Sequence, residues 1–253
     1  NTDNMSILGL TIDYGPYGWL EDYDPDWTPN TTDAEGRRYR FRNQPDIALW
    51  NLVQLGNALY PLIEDIASME QVLNSYSQQF DSQFPILQQQ KLGLQAEYDA
   101  DFQDELITLL TASETDMTIF YRNLANVVKT DTSDEALAKI TLAFYQPDKI
   151  VTTLKTSWLN WMELYLEKIK AEILSDEERK LAMNTINPKY VLRNYMAQLA
   201  IEAAEKEDYT LIDELYTLLK NPYDEQPQYE KWFAKRPDWA RHKVGCSMLS
   251  CSS

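Results

Sequence analysis

Asp3, Asn4 and Asp13 are the residues of this 253-residue chain whose types and spacing best suit chemistry. Asp3 and Asn4 precede a short apolar run, Met5 to Leu8. Gly9 then permits a tight turn because it tolerates positive φ. A second apolar run, Leu10 to Ile12, ends on Asp13, and Tyr14-Gly15 comes next. Two short strands joined at a glycine predict a β-hairpin, and a hairpin brings its outer ends together, setting Asn4 beside Asp13. An amide oxygen and a carboxylate with a free acid next to them suit Mg²⁺, which takes hard oxygen donors and leaves room for phosphate oxygens. Taken singly, Asn, Asp and Gly are what ordinary turns use. The ordered set is more specific than its members.

The elements that must position these residues read as helices. The order acid, amide, hairpin, Asp13-Tyr14-Gly15 is the layout of the catalytic end of a protein-kinase-like C-lobe, with Asp13 in the place of the D-F-G aspartate. Residues 16–44 form a polar, irregular stretch where such a lobe has its activation segment, and long ordered loops are usually functional. Within it, Arg37, Arg38, Arg40 and Arg42 are either a solvated edge or a contact for phosphate or for an acidic segment. Pro45 to Ile66 is apolar nearly all round, which predicts a buried central helix. Helix is expected to continue to Leu94, with a break at Pro85. Asp101 to Val128 predicts two helices split near Ser113. Asp99, Asp101, Asp104 and Glu105 lack the spacing of an EF-hand and read as an acidic helix start. Further helices are expected over Ser133–Phe144 and Pro147–Ile173, the latter with Trp158, Trp161, Leu164, Tyr165 and Ile169 inward. A capping box at Ser175–Glu178 opens the next. Asn187-Pro188 is expected to cap another, running to about Lys206, and Leu211–Leu219 is the last. From Pro222 the composition predicts an extended tail anchored by Trp232, Phe233 and Trp239. The lone His242 reads as a surface residue of that tail. No repeat or linker is visible, so one helical domain is expected.

Composition narrows the function classes. A hydrophobic content of 44% supports a real core, and only seven glycines argue against a sheet-rich chain. A net charge of -17 repels nucleic acid and anionic membrane, so neither is expected as a partner. Such a surface needs cations to host a nucleotide. No apolar run is long enough to span a bilayer. Cys246 and Cys251 are too few for a disulfide framework or a zinc site.

The stretch from Asn1 to Pro16 resembles the signature of the selenoprotein O family (SelO, the YdiU-type proteins). So do Asn43-Gln44-Pro45 with Ala48-Leu49-Trp50-Asn51-Leu52, Asn187-Pro188-Lys189-Tyr190-Val191-Leu192-Arg193-Asn194-Tyr195, Pro222-Tyr223-Asp224-Glu225-Gln226-Pro227, and the tail Ser250-Cys251-Ser252-Ser253. The resemblance implies a mainly α, pseudokinase-type C-lobe with a short β-hairpin at its start and family-specific C-terminal helices. In that reading residues 1–15 are the metal and catalytic loop, 16–44 the activation-like segment, 45–221 the helical body and 222–253 the tail. It implies a protein adenylyltransferase that moves AMP from ATP to Ser, Thr or Tyr hydroxyls of proteins. Asp3 takes the catalytic-base role, Asn4 and Asp13 hold Mg²⁺ or Mn²⁺, and Asp13 reaches the nucleotide through the metal. The rest of the nucleotide cradle, the N-lobe, is expected upstream of Asn1, so this chain reads as the C-terminal part of a longer protein, inactive by itself. The partners expected are ATP and protein substrates, with the chain monomeric and cytoplasmic, or mitochondrial in a eukaryote. Cys251 stands where some members carry selenocysteine. The cysteine that pairs with it in some bacterial members has no counterpart here, Pro29 standing about where it would be, which leaves Cys246 as partner or both as free thiols. Without the resemblance, a γ-phosphoryl-transferring kinase and a non-catalytic helical binding module remain open.

Overall fold

In the computed structural model the described residues are 2, 5–7, 19–28, 36–96, 99–243 and 246. Among them the chain is mainly helical, and the β-structure is one isolated antiparallel bridge, Thr115 with Phe144. The hairpin expected at Gly9 lies outside the described residues. The chain forms two compact units, a division not anticipated from the absence of a linker. The first holds the described residues at the chain start and Pro25–Leu87; the second holds Trp19–Asp24 and the described residues from Gln88 onward.

In the first unit, α1 (Gln44–Ile63) starts with Pro45 in its first turn and Asp46 beside it, both suited to a helix N-terminus. It stops at Glu64, which turns left-handed at φ 53° and returns its N–H to the Tyr60 carbonyl. Asp65 then caps α2 (Ile66–Lys91) by accepting from the Ser68 N–H and hydroxyl. Gly56 of α1 lies where an added Cβ would sit 3.2 Å from the Met69 methyl of α2, so a small residue suits this approach. The Tyr76 hydroxyl donates to the Pro45 carbonyl at 3.0 Å and ties the two helices again. Two expectations need correction. Pro85 does not break α2: the helix runs through it, with only the one bond that the missing N–H would make lost. And α1 is not buried all round: Asn51 is its one buried residue, while Leu59, Tyr60, Leu62 and Ile63 are exposed, because α2 covers only part of its apolar circumference.

The second unit contains α3 (Ala100–Ala112), α4 (Met117–Leu124), α5 (Ser133–Ile140), α6 (Thr152–Ala171), α7 (Asp176–Ile186), α8 (Asn194–Ala204) and α9 (Thr210–Leu219). The acidic start of α3 is a cap, with Asp99 accepting from the Phe102 N–H at 2.8 Å. The core is an aromatic stack on α6. Trp161 lies face to face with both Tyr165 and Phe102, at 5.4 and 4.9 Å between ring centres. Each polar handle is satisfied: Trp158 on Ser113, Trp161 on the Phe102 carbonyl, Tyr165 on the Leu92 carbonyl. Leu164, expected inward, is exposed, because it falls just past the Trp161 edge of the buried stripe made by Trp158, Trp161, Met162, Tyr165 and Ile169. Gly93, at φ +69°, ends the α2 segment where a Cβ would come within 2.6 Å of the Met183 sulfur; only glycine fits.

The capping box at Ser175–Glu178 forms as expected. Asn187-Pro188 does not open a helix: Asn187 closes α7 and donates to the Lys91 carbonyl, and α8 begins only at Asn194. The tail is also not extended. It winds into short 3-10 turns, Pro227–Trp232 and Asp238–His242, that bury Trp232 against Tyr195, Leu215 and Leu218. His242 is exposed, as expected.

Candidate functional site

Asp3, Asn4, Asp13 and Cys251 lie outside the described residues. Their described neighbours Thr2, Met5, Ser6 and Ile7 line a cavity of about 410 Å³ against one side of α1, where Asn51, Leu52, Leu55 and Ala58 face them. The helical spacing of Asn51, Leu55 and Ala58 puts these three on one stripe. Asn51 is 9% exposed, and its Oδ1 is covered yet has no hydrogen-bond partner. Sequence reasoning took Asn51 only as part of a signature; the signal available was one amide in the otherwise apolar run Ala48–Val53.

The arginine run resolves into an acidic-segment contact. Asp26 accepts from Arg40 at 2.8 Å and from Arg42 at 2.5 Å, and Arg38 stacks 5.0 Å over the Trp50 ring. Backbone bonds from Phe41 to Trp27 and from Arg42 to Pro25 hold the two halves of this stretch together.

The earlier part of the same segment, Trp19–Asp24, is held in the second unit by residues that sequence reasoning did not single out. Asn194 exchanges two bonds with the Trp19 backbone, accepting at 2.7 Å and donating at 3.1 Å. The Tyr23 N–H reaches the Thr115 carbonyl at 2.7 Å. Arg193 is fully enclosed, forks onto both oxygens of Asp116 at 2.5 and 3.0 Å, and touches Glu21 at 3.4 Å. Burial pushes the Glu21 carboxyl above its usual range, and Arg193 only partly offsets it. Burial opposes the charge on Arg193, but Asp116 and Glu21 more than restore it. Both Arg193 and Asn194 sit in the Asn187–Tyr195 motif; its Asn187-Pro188 pair suggested a helix start and hid this clamp.

Cys246 is a free, buried thiol, and burial pushes its pKa up, the opposite of an activated cysteine. Among the described residues no group of three or more His, Cys, Asp or Glu side chains is placed to hold a metal ion, and no helix is long and apolar enough to cross a membrane.

Comparison with known proteins shows the family. A family model described as protein adenylyltransferase SelO matches residues 1–220. A protein of Flavobacterium johnsoniae named protein nucleotidyltransferase YdiU is 59% identical across the whole of this chain and 49% of its own length. Proteins of the same name from Rhodopirellula baltica and Aromatoleum aromaticum are 50% and 49% identical, again across the whole chain, with 49% and 48% of their lengths covered. The chain thus spans about half the length of the curated relatives it matches.

Proposed function

The chain belongs to the SelO family, and on that premise we propose that it is the kinase-like C-lobe of a protein adenylyltransferase. The observation that carries the reading is the 59% identity, across the whole chain, to a protein named as a nucleotidyltransferase. The substrates are ATP and the Ser, Thr or Tyr hydroxyls of other proteins. The hydroxyl oxygen attacks the α-phosphorus, the bond to the bridging oxygen of the β-phosphate breaks, and pyrophosphate leaves. The acid of Asp3 accepts the hydroxyl proton. Asn4 and Asp13 would hold Mg²⁺ or Mn²⁺. The fit is chemical: an amide and a carboxylate are hard oxygen donors, and a chain of net charge -17 needs a cation beside a polyphosphate. When bound, the metal neutralises charge that develops on the phosphate oxygens. The reading places the protein in the cytoplasm as a monomer.

The Arg193–Asp116–Glu21 clamp and the Asn194–Trp19 exchange support this assignment, because they fix the chain only a few residues beyond Asp13-Tyr14-Gly15.

The test is label transfer by the full-length protein. We expect α-labelled, and not γ-labelled, ATP to mark protein substrates in the presence of Mg²⁺ or Mn²⁺. Asp13→Ala should lower this by about 10³-fold or more, the loss expected when several kcal/mol of charge stabilisation goes. Transfer of γ-label would make the protein a kinase. Failure to bind metal–ATP at all would favour a helical binding module.

A further inference from the structure

Helix α9 has two unlike faces. Leu211, Leu215, Leu218 and Leu219 turn inward and pack with Tyr195, Met196 and Trp232 in the C-terminal core. Tyr209, Ile212 and Tyr216 recur at i, i+3 and i+7, which puts them on one outer stripe. They are 58%, 44% and 62% exposed. Single exposed apolar residues are ordinary, but a stripe that includes two tyrosines has the composition of an interface. The stripe is set in negative charge. Glu205, Glu207 and Asp208 lie just ahead of it and Asp213 lies within it, against a single lysine, Lys206. Among the described residues none of these four acids has an ion-pair partner, whereas the nearby Glu202 and Glu214 are held by Lys243 and Lys231. At the far end Lys220 sets its ammonium 4.4 Å over the Tyr216 ring, so the stripe already takes a cation on an aromatic face.

Charge decides what fits this face. Anionic membrane, nucleic acid and acidic protein surfaces are repelled. A second copy of the chain would bring the same acids to the same face, since a two-fold interface sets one patch against itself. We infer that the outer face of α9 is a docking surface for a cationic, amphipathic segment of a protein partner: its apolar side chains cover Tyr209, Ile212 and Tyr216, and its Lys or Arg side chains pair with Glu205, Glu207 and Asp213. The rim of charge speeds and orients docking, while the desolvated tyrosines supply most of the affinity. Docking at α9 is separate from the proposed reaction and stands whether or not the protein moves AMP.

The test titrates the full-length protein into a fluorescent, amphipathic synthetic peptide built of Leu and Lys, and reads the Kd from anisotropy. The same peptide with Glu in place of Lys is the control. Two variants separate the contributions. Ile212→Ser with Tyr216→Ser strips the apolar stripe, and Glu205→Gln with Asp213→Asn discharges the rim at constant shape. We expect the Leu–Lys peptide to bind and the Leu–Glu peptide not to. The stripe variant should bind about 10–100-fold more weakly, the loss that follows removal of one or two hot spots. The rim variant should lose about 3–10-fold and show a flatter salt dependence. Both should melt close to wild type, because the substituted side chains are exposed or half-buried at the surface. Unchanged affinity in the stripe variant means that the peptide responds only to overall negative charge, and overturns the inference. No binding of the Leu–Lys peptide overturns it, as does equal binding of the Leu–Glu peptide. A lowered melting temperature in the stripe variant means that the stripe packs against another part of the full-length chain. A wild-type dimer that this variant dissociates makes the face a contact between copies. Either of these results also defeats docking of a partner.

Discussion

Asp26 and Asp116 are each gripped by arginine, and the two regions around them could hardly differ more. In the first unit Asp26 bridges Arg40 and Arg42 with 41% of its side chain in water, and Arg42 is 52% exposed. In the second, Asp116 and Arg193 are each 1% exposed, and the acid also caps α4 by accepting from the Ile119 N–H. Contact geometry is similar, yet the surroundings set what each pair is worth. Water competes for both ions at Asp26, so the pair adds little. No water competes at Asp116, so Asp116 without Arg193 would be an unpaired buried charge, and Arg193 without Asp116 would keep only Glu21 at 3.4 Å. The contrast extends to the helices: α1 leaves Leu59, Leu62 and Ile63 exposed, whereas α6 encloses Trp158, Trp161 and Tyr165 completely.

The sharpest way to break this comparison is Asp116→Ala. It leaves Arg193 with only the 3.4 Å contact to Glu21 and removes a helix cap, and we expect about 3–5 kcal/mol of stability lost in urea unfolding. Asp116→Asn, which keeps the cap, separates the two contributions. A loss under about 1 kcal/mol would mean that water reaches the pair.

A partly buried lysine makes the next largest effect. Lys91 sits 4.3 Å above the Tyr121 ring, and burial lowers its pKa to about 8. The folded chain therefore disfavours the ammonium. The penalty is full below pH 8, shrinks as pH rises because only the unfolded chain still binds the proton, and vanishes above the unfolded value of 10.5. We expect Lys91→Met to be more stable than wild type by about 2–3 kcal/mol at pH 7, with the gap closing by about pH 10.5. A gap independent of pH would refute the shift.

Asp26→Ala should have the smallest effect, below about 1 kcal/mol and weaker still in high salt. A loss matching that of Asp116→Ala would erase the distinction between the regions.

Local chemistry made much of this fold legible. The Ser175–Glu178 box, the split of α3 from α4 near Ser113, and the inward Trp158–Trp161–Tyr165 stripe arise from caps and helical period, which act over a few residues. The misreadings fall where distant groups compete with those signals. Asn187-Pro188 looks like a helix start, but the buried Asn187 amide bonds the Lys91 carbonyl and Arg122 takes the Asn187 carbonyl, so α8 waits until Asn194. Tail prolines suggested an extended strand, yet Trp232 gains a pocket and the chain coils to deliver it.

The candidate site divides the same way. Residue types and order alone nominated Asp3, Asn4 and Asp13, since metal–phosphate chemistry demands particular oxygens in a particular sequence order. Only tertiary structure revealed that Glu21 and Asp116 meet Arg193, across 172 and 77 residues of chain, or that an amide on α1 stands unpaired beside the residues flanking Asp3-Asn4. Helical period marks which side of an element is apolar; it carries no information on which distant polar group will be enclosed against it, and enclosure is what turns an ordinary Asn or Asp into a group that matters.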